Sequence, residues 1–173
     1  MKYTYYLLII ILMSCSEDKI KNPESIDVNL KNDKGFTPLM IEANRSNPDL
    51  EVIKILLKRG SNVNEVDTKG KSILLYAVKN KNLELISLLL EKGALPSSKA
   101  EDEYYCSPIV QACVDGTKEI MNLLISKKVD LNSKCRFDYS CIHAFTENNS
   151  DENIEYLKYL IENKVNINAS TTY

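Results

Sequence analysis

Histidine occurs once in this chain and glycine only five times among 173 residues, and the two shortages together remove most enzymatic readings. A cysteine–histidine nucleophile needs a third group to orient the imidazole, and nothing in the placement of Cys106, Cys113 and Cys135 around His143 arranges one. A phosphate-binding loop needs glycines free to cradle the anion. Here Gly35 and Gly70 stand in turns before apolar segments, Gly60 and Gly93 follow such segments, and Gly116 lies between two, so none is left over. There is no C-x-x-C pair, and Cys141 and His143 share one short helix start, which argues against zinc. The acids around Asp151 and Glu152 lack the glycine and alternation of a calcium loop. Positive charge is not in excess: 22 Lys and Arg face 24 Asp and Glu, so no basic stripe addresses nucleic acid. The apolar run from Tyr5 to Met13 is about nine residues, well short of a bilayer-spanning helix. No enzymatic activity, metal or cofactor is expected.

What the chain does have is one phrase written four times. It begins Gly35-Phe36-Thr37-Pro38-Leu39, then Ala43, Val52-Ile53, Leu56-Leu57 and Gly60. It returns as Gly70-Lys71-Ser72-Ile73-Leu74, Ala77, Leu85-Ile86, Leu89-Leu90 and Gly93-Ala94. The third copy carries Ser107-Pro108-Ile109, Ala112, Ile120-Met121 and Leu124-Ile125, and the fourth Ser140-Cys141-Ile142-His143, Tyr156-Leu157 and Leu160-Ile161. Thr37, Ser72, Ser107 and Ser140 stand where a side-chain oxygen can cap a helix start. Pro38 and Pro108 fit the first helical position, where a missing N–H costs nothing. Apolar pairs at i, i+1, i+4 and i+5 give each second helix one buried face. Leu56, Leu89, Leu124 and Leu160 are therefore expected in the core. Units of this kind stack because none can bury its apolar face alone.

These phrases resemble the ankyrin repeat. Thr37-Pro38-Leu39, Gly93-Ala94, Val63-Asn64, Val129-Asp130-Leu131-Asn132 and Val165-Asn166-Ile167-Asn168 match that family's pattern. Only His143 keeps the family's histidine slot, which Met40, Leu75 and Val110 fill elsewhere. The resemblance implies an all-α solenoid of about four helix-turn-helix units with short β-turn fingers. The repeat domain would run over 31–169, with units at about 33–64, 68–97, 103–132 and 136–168. Ile26-Asp27-Val28-Asn29 looks like the tail of a truncated unit that enters the first finger.

The segment ahead of the repeats reads as an address. Residues 1–14 form a signal peptide, with Lys2 as its positive start. Leu12-Met13-Ser14-Cys15 is similar to a bacterial lipobox, which implies diacylation of Cys15; a cleaved signal beside an ordinary cysteine is the alternative. Two acyl chains anchor a protein stably without spanning the bilayer. Residues 15–30 then serve as the lipidated cysteine and a flexible tether. The expected location is the bacterial cell envelope, with the outer membrane or cell surface favoured.

Cys106, Cys113, Cys135 and Cys141 all fall in the last two units, and four cysteines allow three full pairings. Cys113 takes a small-residue slot at a helix end and is expected as a buried thiol. Cys106 and Cys135 fall at the fingers of adjacent units and form the candidate disulfide.

Ankyrin repeats bind proteins through their finger tips and the adjoining face of the first helices. Carried over, this implies a partner-binding stripe of Phe36, Lys69, Lys71, Tyr76, Tyr104, Tyr105, Arg136, Phe137 and Tyr139. Ile41, Gln111 and Ala144 join Tyr76 on the exposed side of the first helices. Any one ring could instead pack on the next finger as local core. The implied function is protein–protein interaction by a membrane-tethered, exported chain, monomeric when unbound and without nucleic acid. An immunity or inhibitor role is the specific form. An envelope scaffold, or a surface factor binding host proteins, is the alternative.

Overall fold

Each first helix starts where a hydroxyl residue meets an apolar run. Thr37 accepts a hydrogen bond from the Met40 amide at 3.3 Å and opens α1, Pro38–Ala43, with Pro38 in its first turn. Ser72 does the same for the Leu75 amide at 3.3 Å and opens α3, Ile73–Lys79. The second helices have caps of their own, which the repeat pattern does not spell out. Asp49 caps α2, Leu50–Lys58; Asn82 caps α4, Leu83–Glu91; Thr117 caps α6, Lys118–Ser126. The remaining helices are α5, Pro108–Asp115, α7, Cys141–Glu147, and α8, Asp151–Glu162. This computed structural model describes residues 27–96, 107–115, 117–129, 131–132, 140–147 and 151–162. The signal peptide, Cys15 and the tether up to residue 26 lie outside the described residues.

Two of the expected caps differ. The Ser107 hydroxyl is buried with no hydrogen-bond partner, so it does not cap α5; the Ile109 amide donates instead to the Pro96 carbonyl, 3.2 Å away in the preceding connection. At α7 the Ser140 amide donates to Nδ1 of His143 at 3.1 Å, and the Ser140 hydroxyl lies 3.0 Å from the same nitrogen. His143 thus takes the part that Glu or Gln plays in a capping box, reaching back from the third helical position.

The helices form two layers. The first helices α1, α3, α5 and α7 stack in order, and each second helix packs behind its own first helix. Between the layers runs one continuous core. Leu39, Leu74 and Ile109 are fully buried at equivalent positions of three first helices. Leu56, Leu89, Leu124 and Leu160 are all buried, as the register predicts. In the last unit Tyr156 stacks on Phe145 with ring centroids 5.4 Å apart and donates its hydroxyl to the Lys118 carbonyl at 3.2 Å. None of the described helices is long and apolar enough to cross a membrane.

The ends of the second helices are closed by left-handed residues. Gly60 at φ 89° and Gly93 at φ 84° let Ser61 and Ala94 reach back to the Leu56 and Leu89 carbonyls, at 3.0 and 2.9 Å. In the third unit a lysine does this job: Lys128, at φ 54°, precedes the Val129 amide that bonds the Leu124 carbonyl at 3.2 Å.

Beyond these caps, two asparagines reach across to the following unit. Asn29 accepts from the Asn62 amide at 2.8 Å and donates to the Gly60 carbonyl at 3.2 Å. Asn64 repeats the pattern one unit on, with the Leu95 amide at 2.9 Å and the Gly93 carbonyl at 3.1 Å. Val28 is buried beside Asn29, so these two residues pack onto the first unit. Lys31 adds an ion pair to Glu65 at 2.7 Å. That ammonium, with a further hydrogen bond from Asn62, holds the Glu65 carboxyl below the usual carboxylate range.

Replacing Leu89 by Ala should lower stability by about 2–5 kcal/mol in urea unfolding. Lys128→Gly should raise stability by about 1 kcal/mol, because a side chain in the left-handed region carries a penalty glycine escapes; the same unfolding curves read both.

Candidate functional site

The fingers are built on an acid or amide that folds back on its own loop. In the first, the Asn32 side-chain oxygen accepts from the Lys34 and Phe36 amides, both at 3.0 Å. In the second, Asp67 accepts from the Lys69 and Lys71 amides at 2.8 and 2.9 Å. Such Asx turns pre-form the loop without help from a partner. Gly35 and Gly70 complete the two turns at positive φ. Gly35 has a second reason to be glycine: a Cβ there would stand 2.6 Å from the Thr68 nitrogen. The fingers touch at this point, with the Thr68 amide and hydroxyl both donating to the Lys34 carbonyl at 3.2 Å.

Asp67 has one oxygen left, and Tyr76 uses it. The Tyr76 hydroxyl donates to it at 2.6 Å, which ties the second finger to α3. Phe36 from the first finger lies against the Tyr76 ring, centroids 5.4 Å apart and planes tilted by 38°. The two rings therefore join adjacent units across the groove between fingers and first helices. Both are half-buried, so they pack locally and still present an edge to solvent.

The expected contact residues separate on this geometry. Lys69 is exposed at the second tip, as Lys34 is at the first. Lys71 is not: its side chain is only 9% exposed. Position 71 lies on the returning limb of the finger, where its amide and carbonyl both pair with Asp67, directly before the Ser72 cap. Ile41, Tyr76 and Gln111 are half-buried along the first helices, but Ala144 is buried at 6% exposure, a methyl too short to reach the surface its larger counterparts reach. Tyr104, Tyr105, Arg136, Phe137 and Tyr139 lie outside the described residues.

The charge of the surface over the first two units is lopsided. Lys34, Lys69 and Arg45 are exposed there, and Lys79 is half-buried. The acids are mostly occupied. Asp67 is buried in its own finger, and Glu42, 2% exposed, accepts from the Asp49 amide at 2.7 Å and faces Arg45 at 3.6 Å. Among the described residues of these two fingers and first helices, Asp33 is the exposed acid. The result is an aromatic and aliphatic strip of Phe36, Tyr76 and Ile41 edged by cations.

The cysteines correct one expectation. Cys113 is not a thiol; it is bonded to Cys141, with Cα atoms 5.2 Å apart. The proposed partners Cys106 and Cys135 lie outside the described residues. Since Cys113 and Cys141 are bonded to each other, neither offers a thiolate to His143, whose Nδ1 is engaged by Ser140. No group of three or more His, Cys, Asp or Glu side chains is arranged to hold a metal among the described residues.

Sequence reasoning passed over Asp67 and the two clasping asparagines. The signal for the first was present: Asn32 and Asp67 each stand three residues before a glycine at the start of a phrase. The reach of Asn29 and Asn64 into the next unit had no local mark.

A family model of ankyrin repeats, in three copies, matches residues 7–100. Alpha-latrocrustotoxin-Lt1a of Latrodectus tredecimguttatus is 26% identical over 69% of this chain and 8% of its own length. Transient receptor potential cation channel subfamily A member 1 of Homo sapiens is 28% identical over 80% of this chain and 13% of its own. Ankyrin repeat and SAM domain-containing protein 6 of Rattus norvegicus is 29% identical over 66% and 13%. The chain thus spans only 8–13% of the length of these relatives.

Proposed function

The chain belongs to the ankyrin-repeat family, and from that premise we propose that it is an exported, lipid-anchored protein that binds another protein through its finger and first-helix face. Ankyrin repeats are protein–protein interaction modules. The observation that carries the reading here is the Phe36–Tyr76 pair. It is fixed by the Asp67 bond, shared by two units, and edged by Lys34 and Lys69 at the tips. Preorganised aromatic anchors ringed by charge are what binding hot spots are made of, and the cationic edge selects an acidic segment that carries apolar side chains.

The lipobox-like Leu12-Met13-Ser14-Cys15 supports attachment at Cys15, with residues 1–14 removed as a signal peptide. The Cys113–Cys141 bridge supports export, since such bonds persist chiefly in oxidising compartments. A tethered binder at the bacterial envelope suits an immunity or inhibitor protein that captures a toxin or effector where it acts. The binding surface would extend along Tyr104, Tyr105, Arg136, Phe137 and Tyr139.

Purification of C-terminally tagged protein from native membranes in mild detergent should bring down one stoichiometric, acidic partner. A secreted toxin or effector is the expected identity, whereas resident envelope enzymes would replace immunity with a scaffold role. Lys34→Glu with Lys69→Glu should weaken capture by about tenfold or more, and Phe36→Ala further, with helical content unchanged. Undiminished capture by the charge-reversed protein would remove this surface from consideration, and continued partition into membranes after Cys15→Ser would remove the lipid anchor.

A further inference from the structure

We propose that the Cys113–Cys141 bond makes docking of the fourth helix pair, α7 and α8, conditional on an oxidising compartment. This rests on the export part of the proposed function and not on who the partner is. The bond joins the end of α5 to the first residue of α7, across 28 positions of sequence, and so crosses the boundary between the third and fourth units. Both cysteines are buried, Cys141 completely and Cys113 to 7% exposure. The bond is therefore part of the packing at that boundary.

The fourth pair meets the third unit chiefly through the contact between α5 and α7, the one the bond crosses. Ile53, Ile86 and Met121 occupy one slot on the second helices of the first three units, and all are buried. The fourth residue of that series, Leu157, is half-buried, and Ile161 one turn on is 56% exposed. Ile154 leaves another 50% of its surface in solvent. On α7 the slot filled by Met40, Leu75 and Val110 holds His143, a polar ring engaged with its own helix start. Ile142, Ala144, Phe145, Tyr156 and Leu160 are buried in this pair together with the bonded Cys141. A crosslink of this kind removes open conformations in which the pair has swung away.

The chemistry is thiol–disulfide exchange. A thiolate of a dithiol reductant attacks the sulfur of Cys113, the less completely buried of the two residues. The bond to Cys141 breaks, and Cys141 leaves as a thiolate that takes up a proton. The reductant's second thiol displaces Cys113, so two cysteine thiols form and the dithiol becomes a disulfide. The reverse exchange, with a disulfide-bearing oxidant, locks the pair in place. When the pair docks again, the Cys141 thiol meets an acceptor in the Ile109 carbonyl, which lies 3.7 Å from its sulfur in the bonded state. In a reducing cytoplasm the chain would carry its first three units docked and its fourth loose; the complete array would form after export.

The test is hydrogen exchange read by mass spectrometry on the full chain with Cys106→Ser and Cys135→Ser, so that the only other cysteine is Cys15. With and without dithiothreitol, peptides covering 140–162 should lose protection on the order of a hundredfold on reduction, while peptides covering 38–91 stay unchanged. Cys141→Ser should reproduce the reduced pattern without reductant. Equal protection of 140–162 in both states would overturn the proposal. So would alkylation showing Cys113 and Cys141 both free in protein taken from native membranes. Loss of protection throughout 38–91 on reduction would also overturn it, because the bond would then hold the whole array.

Discussion

Every other feature of this chain depends on the fact that no helix pair covers its own apolar face. Ile53 and Ile86 are fully buried in the stack, which joins faces that no single unit can cover. The hydrophobic effect drives that stacking, but it has no direction of its own and would tolerate slippage. Asn29 and Asn64 supply the direction. Each places one acceptor and one donor on the loop that closes the next unit, at the left-handed glycine, so that one alignment satisfies both groups. Apolar area supplies the energy of the array and the asparagines set its registry.

Registry is what makes a surface out of the fingers. Thr68 can reach the Lys34 carbonyl, and Gly35 can come within a backbone's thickness of Asp67 and Thr68, only if successive units are stacked in step. The Phe36–Tyr76 contact depends on the same alignment, since one ring comes from a finger and the other from the next unit's first helix. Because Asn32 and Asp67 hold their loops from within, little ordering is left to be done when something binds. The same stacking brings Cys113 and Cys141 to bonding distance two boundaries further on.

The fold was legible in the sequence because its causes are local and repeated. A hydroxyl before an apolar run, a proline behind it, a glycine after the second run: each states its own reason, and four copies in step fix the period. The core leucines follow from that period alone. The site was legible only in outline. Lys71 looked like a tip residue because it is charged and close to Lys69, yet the finger turns between them and takes Lys71 inside. Ser107 carries the right chemistry for a cap, but a carbonyl from the previous connection, at Pro96, takes part in the α5 start in its place. Cys113 occupied an unremarkable small-residue slot; its partner sits 28 positions away, and no local pattern joins the two. What escaped was in each case set by a neighbouring unit or by the turn of a loop.

The account's central claim is that side-chain clasps between units, acting with the shared core, set the alignment on which the binding face rests. Native-state hydrogen exchange on Asn64→Ala tests it most directly, because the Asn64 side chain bonds the Gly93 carbonyl and the Leu95 amide in the loop of the next unit. The account predicts a loss of about 1–3 kcal/mol in protection, concentrated at the Leu95 amide and the boundary around residues 83–96, with the Asn29 clasp and α1 unaffected. Unchanged exchange at that boundary would contradict it, and so would an even loss over all the described helices.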